Sequence, residues 1–92
     1  MKTTEKNIPY SSEIGIPLLP EPYKSAAKLR IIDKLPYKEI AERINITDGQ
    51  CRVCVYRAKK KLNKLDKMLE DYSGDEEKLK EIIKKWYAIN IE

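Results

Sequence analysis

The fold is decided by the stretch LPYKEIAERINITDGQCRVCVYRAKKKL, which occupies residues 35–62. Its first half places apolar residues one helical turn apart and predicts a short helix over residues 37–44. Asn45 follows, and because asparagine tolerates left-handed backbone angles, it predicts a tight turn. Thr47 is a residue type that caps helices well, and an acidic residue follows it, so a second helix is expected to begin there. Two helices joined by a turn of about three residues predict a helix-turn-helix.

The second of these helices is predicted to continue to about residue 71, because its apolar residues form one stripe. The stripe consists of Cys51, Cys54, Val55, Ala58, Leu62, Leu65 and Leu69. With Cys51 directed inward, a rotation of about 100° per residue directs another set outward. That outward face consists of Gly49, Arg52, Val53, Tyr56 and Lys60. One buried side and one exposed side are what the recognition helix of a helix-turn-helix requires.

The exposed side carries the candidate DNA contacts. Arg52 has a planar fork of donors that suits the O6 and N7 atoms of guanine in the major groove. The residues predicted to contact bases are Asp48, Gly49, Gln50, Arg52, Val53 and Tyr56. The residues predicted to contact phosphates, most of which follow one to two turns later, are Lys38, Thr47, Arg57, Lys59, Lys60 and Lys61.

The rest of the chain is predicted to be helical after an N-terminal arm. Residues 1–22 hold four of the five prolines and are expected to form an arm that is extended or partly packed. A first helix is predicted over residues 23–34, within a helix-turn-helix domain of residues 23–72. Ser73, Gly74 and Asp75 break the chain, and a final helix follows within residues 73–92. The predicted fold is an all-α, four-helix domain with a helix-turn-helix and a C-terminal helical hairpin.

The last two predicted helices each present an apolar seam. On the helix that begins after Thr47, which is the third in chain order, the seam consists of Leu62, Leu65, Leu69 and Tyr72. On the final helix, the fourth, it consists of Leu79, Ile82, Ile83 and Trp86. Either the two seams cover each other in a hairpin, or they join two chains. The C-terminal helix is therefore expected to pack on the third helix or to form an oligomer interface, in a monomer or a homodimer.

Charge is concentrated in the middle of the chain. The whole sequence carries a net charge of +4, but residues 24–67 carry +8, while residues 1–23 carry −1 and residues 68–92 carry −3. A basic segment that coincides with the helix-turn-helix favours a nucleic-acid partner.

Composition argues against an enzyme. The chain has no histidine, which excludes Ser-His-Asp and Cys-His nucleophiles and histidine metal sites. Cys51 and Cys54 form a Cys-x-x-Cys pair, but both lie on the inward stripe and no further ligands accompany them, so core packing is expected. No apolar stretch approaches the ~20 residues of a membrane span. The expectation is a soluble cytoplasmic protein without catalytic activity, metal or cofactor.

Two segments of the sequence are recognisable. YKEIAERINIT, residues 37–47, and YRAKKKL, residues 56–62, resemble region four of bacterial sigma factors, especially the extracytoplasmic-function group. Leu19 and Pro20 stand where that family has a leucine and a proline before its first helix. The resemblance therefore covers roughly residues 19–62, about half of the chain.

The resemblance implies a function and also shows departures. It implies recognition of double-stranded promoter DNA on the nucleoid and docking on the β flap of RNA polymerase. Asn45 replaces the usual glycine of the turn and Cys51 the usual valine, while Val53 and Cys54 stand where the family often has serine and arginine. Nothing in the chain resembles region two, so the protein is not expected to be a complete sigma factor.

Three functions are consistent with the sequence. The first is a DNA-binding transcription regulator, of phage or mobile-element origin, since 15 lysines against 4 arginines fit an AT-rich genome. The second is a viral DNA-packaging protein similar to a small terminase subunit, in which the helical tail builds a ring. The third is an interaction module that sequesters polymerase or an anti-sigma factor without binding DNA.

Overall fold

A computed structural model of the chain describes residues 9–72 and 74–91. The first eight residues of the predicted arm, Ser73 in the predicted break and Glu92 at the end of the last predicted segment lie outside the described residues. The helices are α1 (Tyr10–Gly15), α2 (Tyr23–Ala27), α3 (Tyr37–Ile44), α4 (Asp48–Met68) and α5 (Glu76–Asn90). The described part of the chain contains no strand, so the all-α class is confirmed.

Helix α1 adds a fifth helix to the four that the sequence predicts. It occupies six residues of the predicted arm and continues into a 3₁₀ turn, Ile16–Leu18. Because it is so short and lies between prolines, it has no apolar period that would reveal it. Ile16 and Leu19 are almost fully buried, so this part of the arm belongs to the core.

Helix α1 packs closely because Gly15 has no side chain. A Cβ atom added to Gly15 would lie 2.5 Å from Cδ2 of Leu62, 3.1 Å from Cδ2 of Leu65 and 3.4 Å from Cη2 of Trp86. These three side chains are buried and belong to α4 and α5. Glycine thus allows the first helix to approach the hairpin that the last two helices form.

The helix predicted over residues 23–34 extends only to Ile32. It is α-helical over Tyr23–Ala27 and π-helical over Lys28–Ile32. Lys34 then adopts a left-handed conformation with φ of 58°, and the Leu35 N–H donates to the carbonyl of Leu29 at 3.0 Å. The chain must leave the helix here because Pro36 disfavours helical angles in the residue before it.

The turn between α3 and α4 has the predicted conformation. Asn45 lies in the left-handed region with φ of 60°, and the Ile46 N–H donates to the carbonyl of Ala41 at 3.0 Å. Thr47 is the N-cap of α4: its Oγ1 accepts the Gln50 N–H, and Oε1 of Gln50 accepts the Thr47 N–H, each at 3.0 Å. This reciprocal capping box fixes the residue at which α4 begins.

Helices α4 and α5 form the predicted hairpin within one chain. Trp86 is fully buried, and its Nε1 donates to the carbonyl of Lys61 at 2.7 Å. Two further bonds close the contact: Nζ of Lys61 donates to the carbonyl of Asn90 at 2.7 Å, and Nδ2 of Asn90 donates to the carbonyl of Trp86 at 3.0 Å. The seam of α4 is therefore covered by α5.

The core consists of two hydrophobic clusters, and α4 contributes to both. The first joins α1, α2, α4 and α5 and comprises Ile16, Leu19, Ala27, Ala58, Leu62, Leu65, Ile82 and Trp86. The second lies inside the helix-turn-helix and comprises Ala26, Ile40, Ala41, Cys51, Cys54 and Val55. Each half of α4 is thus held by a different cluster. Among the helices described, none combines the length and apolar character needed to cross a membrane.

The close approach at Gly15 predicts a large difference between two glycine substitutions. Gly15→Val is expected to lower the free energy of unfolding by about 1–3 kcal/mol, because the added methyl groups must displace buried side chains. Gly49→Val is the matched control, since a Cβ there meets nothing within 4 Å; it should change stability by less than about 0.5 kcal/mol. Urea denaturation followed by circular dichroism measures both. Equal stability of the two variants would contradict the packing of α1.

Candidate nucleic-acid interface

The outward face predicted for α4 is exposed in the structure. Val53 exposes 46% of its surface and Tyr56 exposes 63%, although both are large and hydrophobic. Gly49, Arg52 and Lys60 are exposed beside them. The opposite side is buried, since Cys51, Val55, Ala58 and Leu65 expose 1% or less. The outward face of α4 is therefore continuously exposed from Gly49 to Lys60.

The polar side chains at the start of α4 are partly committed to the helix itself. The acceptor atoms of Thr47 and Gln50 are used in the capping box, which leaves the Thr47 hydroxyl proton and the Gln50 amide N–H groups as donors. Oδ2 of Asp48 lies 3.3 Å from Nε of Arg52, one turn further along. All four side chains are exposed, so each remains within reach of a ligand that approaches this face.

Arg52 is also held by an aromatic ring. Its guanidinium carbon lies over the ring of Tyr37 at 4.8 Å from the centroid, and that of Arg30 lies over the same ring at 4.3 Å. Nη1 of Arg30 further donates to the carbonyl of Leu35 at 3.0 Å. Cation–π contacts of this kind orient a guanidinium group without using its N–H donors. Arg52 is therefore directed by Tyr37 and Asp48, while 62% of its side chain remains exposed.

One flank of α4 forms a basic groove. Its lining consists of Tyr23, Arg57, Lys60, Lys61, Lys64 and Asn90. Arg57, Lys60 and Lys64 are exposed, whereas Lys61 is half-buried and donates to the carbonyl of Asn90 at the end of α5. The groove brings together three of the predicted phosphate contacts, of which Lys61 also joins α4 to α5.

The other predicted phosphate contacts lie elsewhere. Lys59 lines a different groove, between α4 and α1, because two residues of helix rotate it about 160° away from Arg57. Lys38 is exposed in the first turn of α3, and Thr47 is exposed at the N-cap of α4. Lys59 and Arg57 therefore place positive charge on opposite flanks of the outward face, as the two phosphate strands that border a major groove require.

The Cys-x-x-Cys pair lies in the core. Cys51 is fully buried and Cys54 exposes 9% of its surface. Burial raises the pKa of the Cys51 thiol, and the neighbouring Cys54 and Asp48 raise it further. A thiol that stays protonated at neutral pH is a poor nucleophile and metal ligand. Among the residues described, no group of three or more histidine, cysteine or acidic side chains is arranged to hold a metal ion.

Sequence reasoning missed three residues of this interface. Lys64 lies one turn after Lys60 on the same flank, so its i+4 spacing was a usable signal. Tyr37 and Arg30 reach Arg52 through space from other helices, and no spacing within the sequence indicates that contact.

Comparison with known families agrees with this geometry. The profile of the family described as Sigma-70, region 4 matches residues 16–62, just over half of the chain. The chain belongs to the sigma-70 region 4 family. Region 4 domains bind DNA and RNA polymerase. No curated protein and no solved structure gives a significant match to the chain.

The region 4 match ends inside α4. It includes the 3₁₀ turn after α1, all of α2 and α3, and α4 as far as Leu62. Val53, Tyr56 and the cationic residues up to Lys61 fall within it. Leu65, Ile82 and Trp86 fall outside, although they belong to the same hydrophobic cluster as Ile16 and Leu62. In this chain the region 4 domain is therefore completed by a helix that follows it.

Proposed function

We propose that the protein is a transcription regulator that binds double-stranded DNA through its region 4 helix-turn-helix. The observation that carries the proposal is the exposed outward face of α4, which has cationic side chains on both flanks. An α-helix fits the major groove of B-DNA, and the first turns of the recognition helix approach the base edges. Such a protein acts on the nucleoid in the cytoplasm.

The interface divides into a part that reads bases and a part that holds phosphates. Arg52 is the reader in this proposal, because its fork is oriented by Tyr37 and lies in the second turn of α4. Arg57, Lys60 and Lys64 hold one phosphate strand from the basic groove. Lys59 serves the opposite flank of α4, and the exposed Lys38 and Thr47 would add contacts from the first turn of α3 and the N-cap of α4.

RNA polymerase is the proposed protein partner, since region 4 domains bind polymerase as well as DNA.

The covered seam between α4 and α5 favours a regulator over a DNA-packaging ring. Ile82 and Trp86 of the same chain pack on Leu62 and Leu65, so this seam is not available to join subunits into a ring. The cationic flanks support DNA binding over a module that only sequesters proteins. The proposed phage or mobile-element origin is supported by the lysine-rich composition alone.

Duplex affinity is expected to fall steeply with salt. About five cationic side chains are placed to neutralise phosphates, so log K against log salt should have a slope of about −4 to −5. Fluorescence anisotropy with a labelled duplex between about 50 and 200 mM salt measures the slope. A slope flatter than about −1 would contradict the proposed nucleic-acid interface.

Two substitutions should separate base recognition from phosphate binding. Arg52→Ala is expected to cost about 1–3 kcal/mol on the preferred sequence and to relax preference at one or two base pairs. Lys60→Ala should weaken binding to preferred and random duplexes equally and reduce the salt slope by about 1. Lys78→Ala is the control, because this exposed lysine belongs to the first turn of α5.

Binding to the selected sequence and to a scrambled duplex, measured side by side, distinguishes these outcomes. If Arg52→Ala weakened both duplexes equally while helicity stayed that of the wild type, α4 would not be the reading helix.

A further inference from the structure

The outward face of α4 contains an apolar patch beside Arg52. Val53, one turn after Gly49, exposes almost half of its surface. A shallow groove continues from it across α4 toward the start of α2, and its lining consists of Pro22, Ile46, Gly49, Gln50, Val53 and Cys54. Single exposed hydrophobic residues are ordinary, but this one is continuous with an apolar groove. The patch therefore has a shape and a chemistry that suit a small apolar group.

Glycine leaves the patch open to an approaching ligand. A Cβ atom added to Gly49 would meet nothing within 4 Å, so the space above this turn is free. The acceptor atoms of the neighbouring Thr47 and Gln50 are already occupied by the capping box. On this flank Val53 and the groove beside it offer apolar contact, while Arg52, about 100° away around the helix, offers hydrogen bonds.

The ligand follows from the position of the patch, and this step rests on the proposed function. A face that lies in the major groove meets base edges, and the apolar group those edges present is the C5-methyl of thymine. We infer that Val53 and the groove beside it bind a thymine methyl group, so that α4 recognises an A·T pair next to the pair that Arg52 reads.

Replacing thymine by uracil tests the inference, because uracil pairs identically and lacks only the methyl group. The preferred duplex is first selected from a random-sequence pool made with thymine, and each thymine of it is then replaced singly by deoxyuridine. One replacement is expected to weaken wild-type binding about fourfold, the value of one buried methyl group. The other replacements should have little effect.

Substitution of Val53 assigns the contact. Val53→Ala, which removes both γ-methyl groups, should lose most of the difference between the thymine and uracil duplexes, whereas Val53→Thr, which keeps one γ-methyl group, should retain more of it. Ile89→Ala is the control, because Ile89 is 72% exposed on α5, and this variant should keep the whole fourfold difference. Circular dichroism establishes that the variants are folded.

The outcomes separate the two proposals. If the wild type binds the selected duplex but no uracil replacement weakens it, the methyl inference is wrong and the DNA-binding function stands. If Val53→Ala keeps the full difference, another residue makes the contact and the inference is again wrong. If the wild type binds no duplex even at low salt, the proposed function itself fails and the inference fails with it.

Discussion

Helix α4 is buried on one side by two different hydrophobic clusters, and this double burial fixes the direction in which its other side points. Its first turns pack against α3 through Cys51 and Val55, and its later turns pack against α1, α2 and α5 through Leu62 and Leu65. A helix held at only one end can rotate or bend. Because both halves are anchored, the exposed face from Gly49 to Lys60 is a rigid surface, and side chains on a rigid element are positioned more accurately than those on a loop.

The features that the sequence predicts well are those that depend on neighbours along the chain. The Asn45 turn, the Thr47 cap and the alternation of buried and exposed residues on α4 follow from local backbone preference and helical period, and the structure has all three. Helix α1 was missed because six residues are too few to show a period. The contact of Tyr37 with Arg52 was missed because it joins different helices, and sequence spacing carries no information about such pairs.

The region 4 family match and the physical domain do not have the same limits. The match stops at Leu62, but the cluster that anchors the second half of α4 needs Trp86 of the last helix and the close approach of Gly15 from the first. The indole of Trp86 donates to the carbonyl of Lys61, so the added helix contacts α4 within its basic groove. The stability of the core and the proposed DNA contact thus depend on the same helix.

The proposed DNA-binding surface consists of the outward face of α4 with the neighbouring cationic residues, including Lys38 of α3, and it excludes α5. A titration of ¹⁵N-labelled protein with the preferred duplex, followed by amide chemical shifts, tests it most directly. We expect the largest shifts between Thr47 and Lys64 and near Lys38, whereas the amide signals of the first two turns of α5 should keep their positions. Large shifts confined to α5, with those of α4 unchanged, would contradict it.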